Sequence, residues 1–102
     1  MFSFLKKIFG ERVNIQELIL NGATIIDVRS KEEFKLGHLK NSVNIPLDKL
    51  SHGLKKLDKN KPIITCCASG MRSASARSLL KSNGFEQVHN GGSWTSLRKF
   101  KN

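Results

Sequence analysis

The hydrophobic pattern of the chain changes period repeatedly between helix-like and strand-like. "NIQELILNG" carries apolar positions at helical spacing, with Asn14 placed as N-cap, Glu17 three residues on and Gly22 as a stop. "ATIIDV" is a continuous apolar run that predicts a buried strand ending near Val28. "SKEEFKLG" repeats the helix-start signal: Ser30 caps, Glu33 sits at the third helical position and Gly37 ends the helix. "SVNIP" predicts a short strand closed by Pro46. In "LDKLSHGLKKL", Leu47, Leu50, Leu54 and Leu57 share a stripe, with Gly53 as a point of breakage. "PIITC" predicts a strand, "RSASARSLLKSNG" a helix stopped by Gly84, and "FEQVHN" a short strand. "SWTSLRKF" predicts a terminal helix after a turn at Gly91 and Gly92.

Strands thus alternate with helices, the pattern of an α/β domain with a parallel sheet covered on both faces. Functional groups in such folds gather at the carboxyl ends of strands, where Asp27 and Cys67 both fall. The 102 residues suffice for one domain. The expected division is a short amphipathic segment over residues 1–12 and one domain over 13–102. In "MFSFLKKIFG", Phe2, Leu5 and Phe9 recur at helical spacing. The first reading is a short helix packed on its own domain; the alternative is a weak interfacial membrane contact of residues 2–9. The segment is too short to span a bilayer, and no secretory cleavage pattern follows it.

Charge and cysteine usage narrow the function classes. Eighteen Lys and Arg against 8 Asp and Glu give a net charge of +10. A solvated lysine-rich surface is the plainest reading, a field that attracts small anions the next. Nothing resembles a nucleic-acid motif, so no nucleic-acid partner is expected. Two adjacent cysteines do not make a disulfide framework and suggest a reducing, cytoplasmic setting. Adjacent strand residues point to opposite faces, and His38, His52 and His89 lack ligand spacing, so no metal or other cofactor is expected.

The stretch "ITCCASGMRSASA" carries the chemistry. A cysteine between a strand and a helix lies near the unpaired N–H groups of that helix, and these together with Arg72 favour the thiolate. Gly70 permits backbone conformations closed to other residues, and Ala68 and Ser69 leave an open cradle whose successive N–H groups form an anion nest. Cys67 is the expected nucleophile, and Cys66, aimed the other way, the expected core residue. Met71 is expected at the rim, narrowing access.

Three landmarks, "IIDVRSKEEFKLGHLKNSVNIP", "ITCCASGMRSASARSLLKSNGF" and "VHNGG", resemble in order and spacing the single-domain rhodanese family. The second resembles the family's Cys-x-x-Gly-x-Arg-Ser active loop and places the sulfur-carrying cysteine at Cys67. The resemblance implies a rhodanese-like α/β fold with a central five-stranded parallel sheet and helices on both faces. It implies sulfur transfer from thiosulfate or a similar small anionic donor to cyanide, a thiol or a protein acceptor, through a Cys67 persulfide. The loop Ala68, Ser69, Gly70, Met71 and Arg72 would hold the outer sulfur. Asp27 and Arg29 would support the loop from beside it; Glu33, Phe34, Gly37 and His38 would be structural. Trp94 follows the glycine pair closely and is expected to anchor the last helix in the core. The six residues from Cys67 to Arg72 suit sulfur better than the wider loop of phosphatases and arsenate reductases of the same architecture. A sulfur-relay or binding module is the other alternative, and a monomer is expected.

Overall fold

The computed structural model describes residues 14–100. The expected amphipathic segment 1–12, and with it the choice between core packing and membrane contact, lies outside the described residues.

The first helix, α1 (Ile15–Leu20), starts where the Asn14 side chain accepts a hydrogen bond from the Glu17 N–H. Strand β1 (Thr24–Asp27) follows, then α2 (Lys31–Leu36). The α2 start is a complete capping box: Ser30 Oγ accepts from the Glu33 N–H at 3.2 Å, and Glu33 Oε1 accepts from the Ser30 N–H at 3.1 Å. Strand β2 is only Val43–Asn44. The leucine stripe after it forms two 3₁₀ turns, η1 (Leu47–His52) and η2 (Leu54–Lys56), split at Gly53. Then come β3 (Ile63–Cys67), α3 (Met71–Ser82), β4 (Val88–Ser93) and a last 3₁₀ turn, η3 (Trp94–Leu97).

The sheet is parallel with the order β2-β1-β3-β4. Among the described residues it has four strands, not the expected five. Every segment of β-type pattern from residue 14 onward is already used, and the remaining connections are helices and turns. The glycine pair also departs from expectation. Gly91 and Gly92 continue β4 instead of turning the chain. From the Thr65–Asn90 pairing to the Cys67–Ser93 pairing, β3 advances two residues and β4 three, which makes a bulge beside Cys67.

Alternate strand residues feed two cores. Ile26, Val28, Ile63 and Cys67 face α3 and η1, packing with Leu50, Ala76, Leu80 and Phe85. Ile25, Ile64 and Cys66 face the other way, toward Ile19 of α1 and Leu97 of η3. Trp94 is half-buried against this second core rather than inside it. It belongs to a 3₁₀ turn, and its ring lies 4.6 Å from the Arg29 guanidinium and 5.3 Å from that of Arg98. No helix among the described residues is long and apolar enough to cross a membrane.

Candidate active site

Cys67 ends β3, and the chain turns into α3 within three residues. That turn needs Gly70, whose φ is +104° and which serves as N-cap of α3 without a side-chain cap. A Cβ there would also stand 3.3 Å from Gly92 Cα, so the loop rests against the β4 bulge, backbone on backbone.

The first N–H groups of a helix need outside acceptors. In α3 a sulfur fills this role. Cys67 Sγ accepts from the Gly70 N–H at 2.9 Å and from the Ser73 N–H at 3.4 Å, and lies 3.5 Å from Ser73 Oγ. Ser73 is fully buried despite its polarity. Its one hydroxyl proton goes to Asn90 Oδ1 at 2.6 Å, beside the Gly70 carbonyl at 3.0 Å, while Cys67 is a thiol, and can turn to the sulfur 3.5 Å away when Cys67 is a thiolate. Asn90 in turn accepts from the Gly92 N–H and donates to the Gly70 carbonyl. The side chains of Ser73 and Asn90 thereby lock loop, helix and bulge together around the thiol.

Burial alone pushes the Cys67 thiol up. The Ser73 hydroxyl, the Ser73 N–H and the Gly70 and Ser69 N–H groups pull it down by more, and its pKa lies below the ordinary value. Cys67 has no exposed surface, whereas Ala68, Ser69 and Met71 of the loop that follows it are exposed. Cys66 behaves oppositely. Burial and then the Asp27 charge push it up to about 12, so it stays a neutral thiol in the second core.

Arg72 braces the loop from outside. Its Nη1 and Nη2 donate to Glu33 Oε1 at 2.7 Å and Oε2 at 3.0 Å, a bidentate pair tying α3 to α2. The Arg72 guanidinium, and then the Ser30 N–H, hold the Glu33 carboxyl down to about 2. Met71, at the first position of α3, is 79% exposed.

Asp27 and Arg29 form a buried pair, with Arg29 Nη2 2.7 Å from Asp27 Oδ2. Asp27 pairs in register with Cys66, so it lies on the sheet face away from the Cys67 thiol. Arg29 reaches the Gly37 carbonyl at 2.7 Å and the Glu33 carbonyl at 3.4 Å. The pair therefore fastens α2 and its exit, and among the described hydrogen bonds none runs from it to the loop. Its contribution is one step removed: α2 presents Glu33 to Arg72. His38 stacks on Phe34 at 3.7 Å and bonds its carbonyl, a structural placement.

The sequence reading missed three partners of the loop. Ser73 stands just outside the expected span, Asn90 just before the glycine pair, and Glu33 was read as a helix residue only. Each lies within a landmark already quoted, and the signal was there in "RS", "HNGG" and "EEF".

A parallel α/β domain built around one activated thiol, held where a strand meets a helix, is the class these features define. The chain matches the rhodanese-like domain model over residues 11–97. A protein named thiosulfate sulfurtransferase GlpE, from Ectopseudomonas mendocina, is 35% identical over 74 residues, 72% of this chain and 68% of that protein. YqhL of Bacillus subtilis is 35% identical over 68 residues, 67% of this chain, which spans only about half (54%) of that relative. The crystal structure of a rhodanese-related protein from Thermoplasma volcanium superposes with a TM-score of 0.69 at 30% identity, covering 78% of this chain and 79% of that one. This chain belongs to the rhodanese-like domain family.

Proposed function

We propose that the protein is a sulfurtransferase that moves a sulfane sulfur from thiosulfate, or a similar small anionic donor, to a thiophilic acceptor. The carrying observation is the Cys67 sulfur, met by the N–H groups of Gly70 and Ser73 and by the Ser73 hydroxyl. Those donors favour the thiolate, which is the nucleophile. The Cys67 thiolate attacks the sulfane sulfur of thiosulfate. A bond forms between Sγ and that sulfur, the bond to the sulfonate sulfur breaks, and sulfite leaves with the electron pair. An acceptor nucleophile then attacks the outer sulfur, and Cys67 leaves as thiolate. The same donors serve both steps, because both place negative charge on sulfur in the loop. Ala68 to Arg72 supply the backbone around the outer sulfur, and Arg72 keeps the loop shaped through Glu33.

Treatment with thiosulfate should add the mass of one sulfur atom to the peptide carrying Cys67. Cys67→Ser should abolish thiosulfate:cyanide transfer, and Cys66→Ser should retain most of it. A dead Cys66 variant beside an active Cys67 variant would overturn the assignment.

A further inference from the structure

One motif of the sequence has no part in the chemistry of Cys67. Residues 2–9, "FSFLKKIF", divide in two at helical spacing: Phe2, Phe4, Leu5, Ile8 and Phe9 fill one arc, and Ser3, Lys6 and Lys7 the other. An apolar arc of that size gains free energy wherever it leaves water. The domain itself offers it little. Among the described residues the large apolar side chains left exposed are Leu20, Leu36, Val43 and Met71, one on each of four elements. Four side chains divided in this way do not make a patch that five large ones could cover.

The face of the domain from which the segment departs is basic. Through Ile15, Leu18 and Ile19, α1 packs on the second core, and Trp94, Leu97 and Phe100 pack on the same core. The residues that follow the segment and residues 94–100 thus share one side of the sheet. Between Leu97 and Phe100 stand Arg98 and Lys99, both exposed and without an ion pair among the described residues. Their cations lie over the Trp94 and Phe100 rings, at 5.3 and 5.2 Å. Residues 1–10 and 87–102 contain no acid, and Glu17 is the one acid of α1.

We propose that residues 2–9, together with the basic face that carries Arg98 and Lys99, attach the protein to the surface of a bilayer containing anionic phospholipid. The apolar arc enters the boundary between headgroups and acyl chains, while Lys6, Lys7, Arg98 and Lys99 meet the lipid phosphates. Neither part suffices alone. So short a segment buries too little apolar area to hold a whole domain, and the attraction of exposed cations is screened by salt. The attached side of the sheet is the one that Cys66 faces, and Cys67 packs in the opposite core. Attachment therefore keeps the Cys67 side of the sheet toward water. The proposal is independent of the sulfurtransferase reading.

The test is sedimentation of the full chain with vesicles at about 0.15 M salt, on phosphatidylcholine alone and on phosphatidylcholine mixed with phosphatidylglycerol. Wild type should pellet with the anionic vesicles and stay in solution with the neutral ones. The variant Leu5→Ser, Phe9→Ser should lose the pellet and keep the urea midpoint of wild type. The variant Arg98→Glu, Lys99→Glu, checked for its fold by circular dichroism, should bind about tenfold more weakly. The variant Lys55→Glu, Lys56→Glu makes the same change of net charge in η2, whose neighbours Leu54 and Leu57 pack on the first core. It should bind within about twofold of wild type, because charges on the far side of the sheet lie beyond the Debye length from the bilayer. Wild type that pellets with neither vesicle would overturn the proposal. Equal losses in the two charge variants would also overturn it, since the field of the whole protein, and not this face, would then set the attraction. So would a serine variant that pellets as before and unfolds at lower urea, the result expected if the segment packs on its own domain.

Discussion

Ser73 shows how much of the site rests on one side chain. It contributes an N–H and a hydroxyl to the environment of Cys67 Sγ, and Asn90 Oδ1 holds the hydroxyl in place at 2.6 Å. Donors to sulfur stabilise the thiolate more than the thiol and so lower its pKa. Removing one must raise it. In a Cys66→Ser background, the alkylation rate of Cys67 against pH should show a midpoint below the ordinary thiol value of about 8.5. Ser73→Ala should move that midpoint upward and slow alkylation at neutral pH several-fold. A midpoint that stays put or falls would mean the hydroxyl does not act on the sulfur. Cys66 should not alkylate in the native state, because it is wholly buried and its thiol is pushed up to about 12.

At the scale of elements, the bulge in β4 is the part with least tolerance. A Cβ on Gly91 would stand 2.8 Å from Ile64 Cγ2 and 2.9 Å from the Thr65 carbonyl oxygen. Both neighbours belong to the fully buried β3, which has little room to yield. Gly91→Ala should therefore cost about 1–3 kcal/mol, as overpacking does, read as a lower urea midpoint. It should also lower sulfur transfer, since the bulge carries Asn90 and backs the Gly70 loop. Unchanged stability would show that β4 shifts freely and does not hold the loop. The expected terminal helix is a single 3₁₀ turn, Trp94–Leu97. Ser93 already caps it by accepting from the Thr95 N–H, and the turn ends at Leu97, which packs into the second core.

For the whole molecule, the net charge of +10 acts at a distance that salt controls. The Debye length shrinks from about 30 Å at 0.01 M to about 10 Å at 0.1 M ionic strength. If the positive field gathers thiosulfate, kcat/KM for thiosulfate should fall as salt rises, and kcat should fall less, because the loop N–H groups touch the reacting sulfur directly. Cyanide should follow the same trend, and a neutral thiol acceptor should not. Equal salt slopes for charged and neutral acceptors would leave the basic surface without a role in capture.

The local signals were enough for most elements and for the nucleophile. The capping box at Ser30 and Glu33, the break at Gly53, the apolar runs of β1 and β3 and the opposed faces of Cys66 and Cys67 all follow from period and stereochemistry within a few residues. The resemblance of the three landmarks supplied the family, and with it a fifth strand that residues 14–100 do not contain. Long-range partners were beyond such reading. Glu33 meets Arg72 across 39 positions, Ser73 meets Asn90 across 17, and Gly70 backs onto Gly92. Nothing in the local pattern around either residue of such a pair names the other; only the order of strands brings them together. The Asp27–Arg29 pair makes the same point in reverse. Its place at the end of β1 was evident from the sequence, but the pairing of Asp27 with Cys66 put it on the far face of the sheet, where it supports α2 instead of the loop. A strand's pattern determines that its residues alternate; which neighbour each face meets is decided by register, and register exists only in the folded sheet.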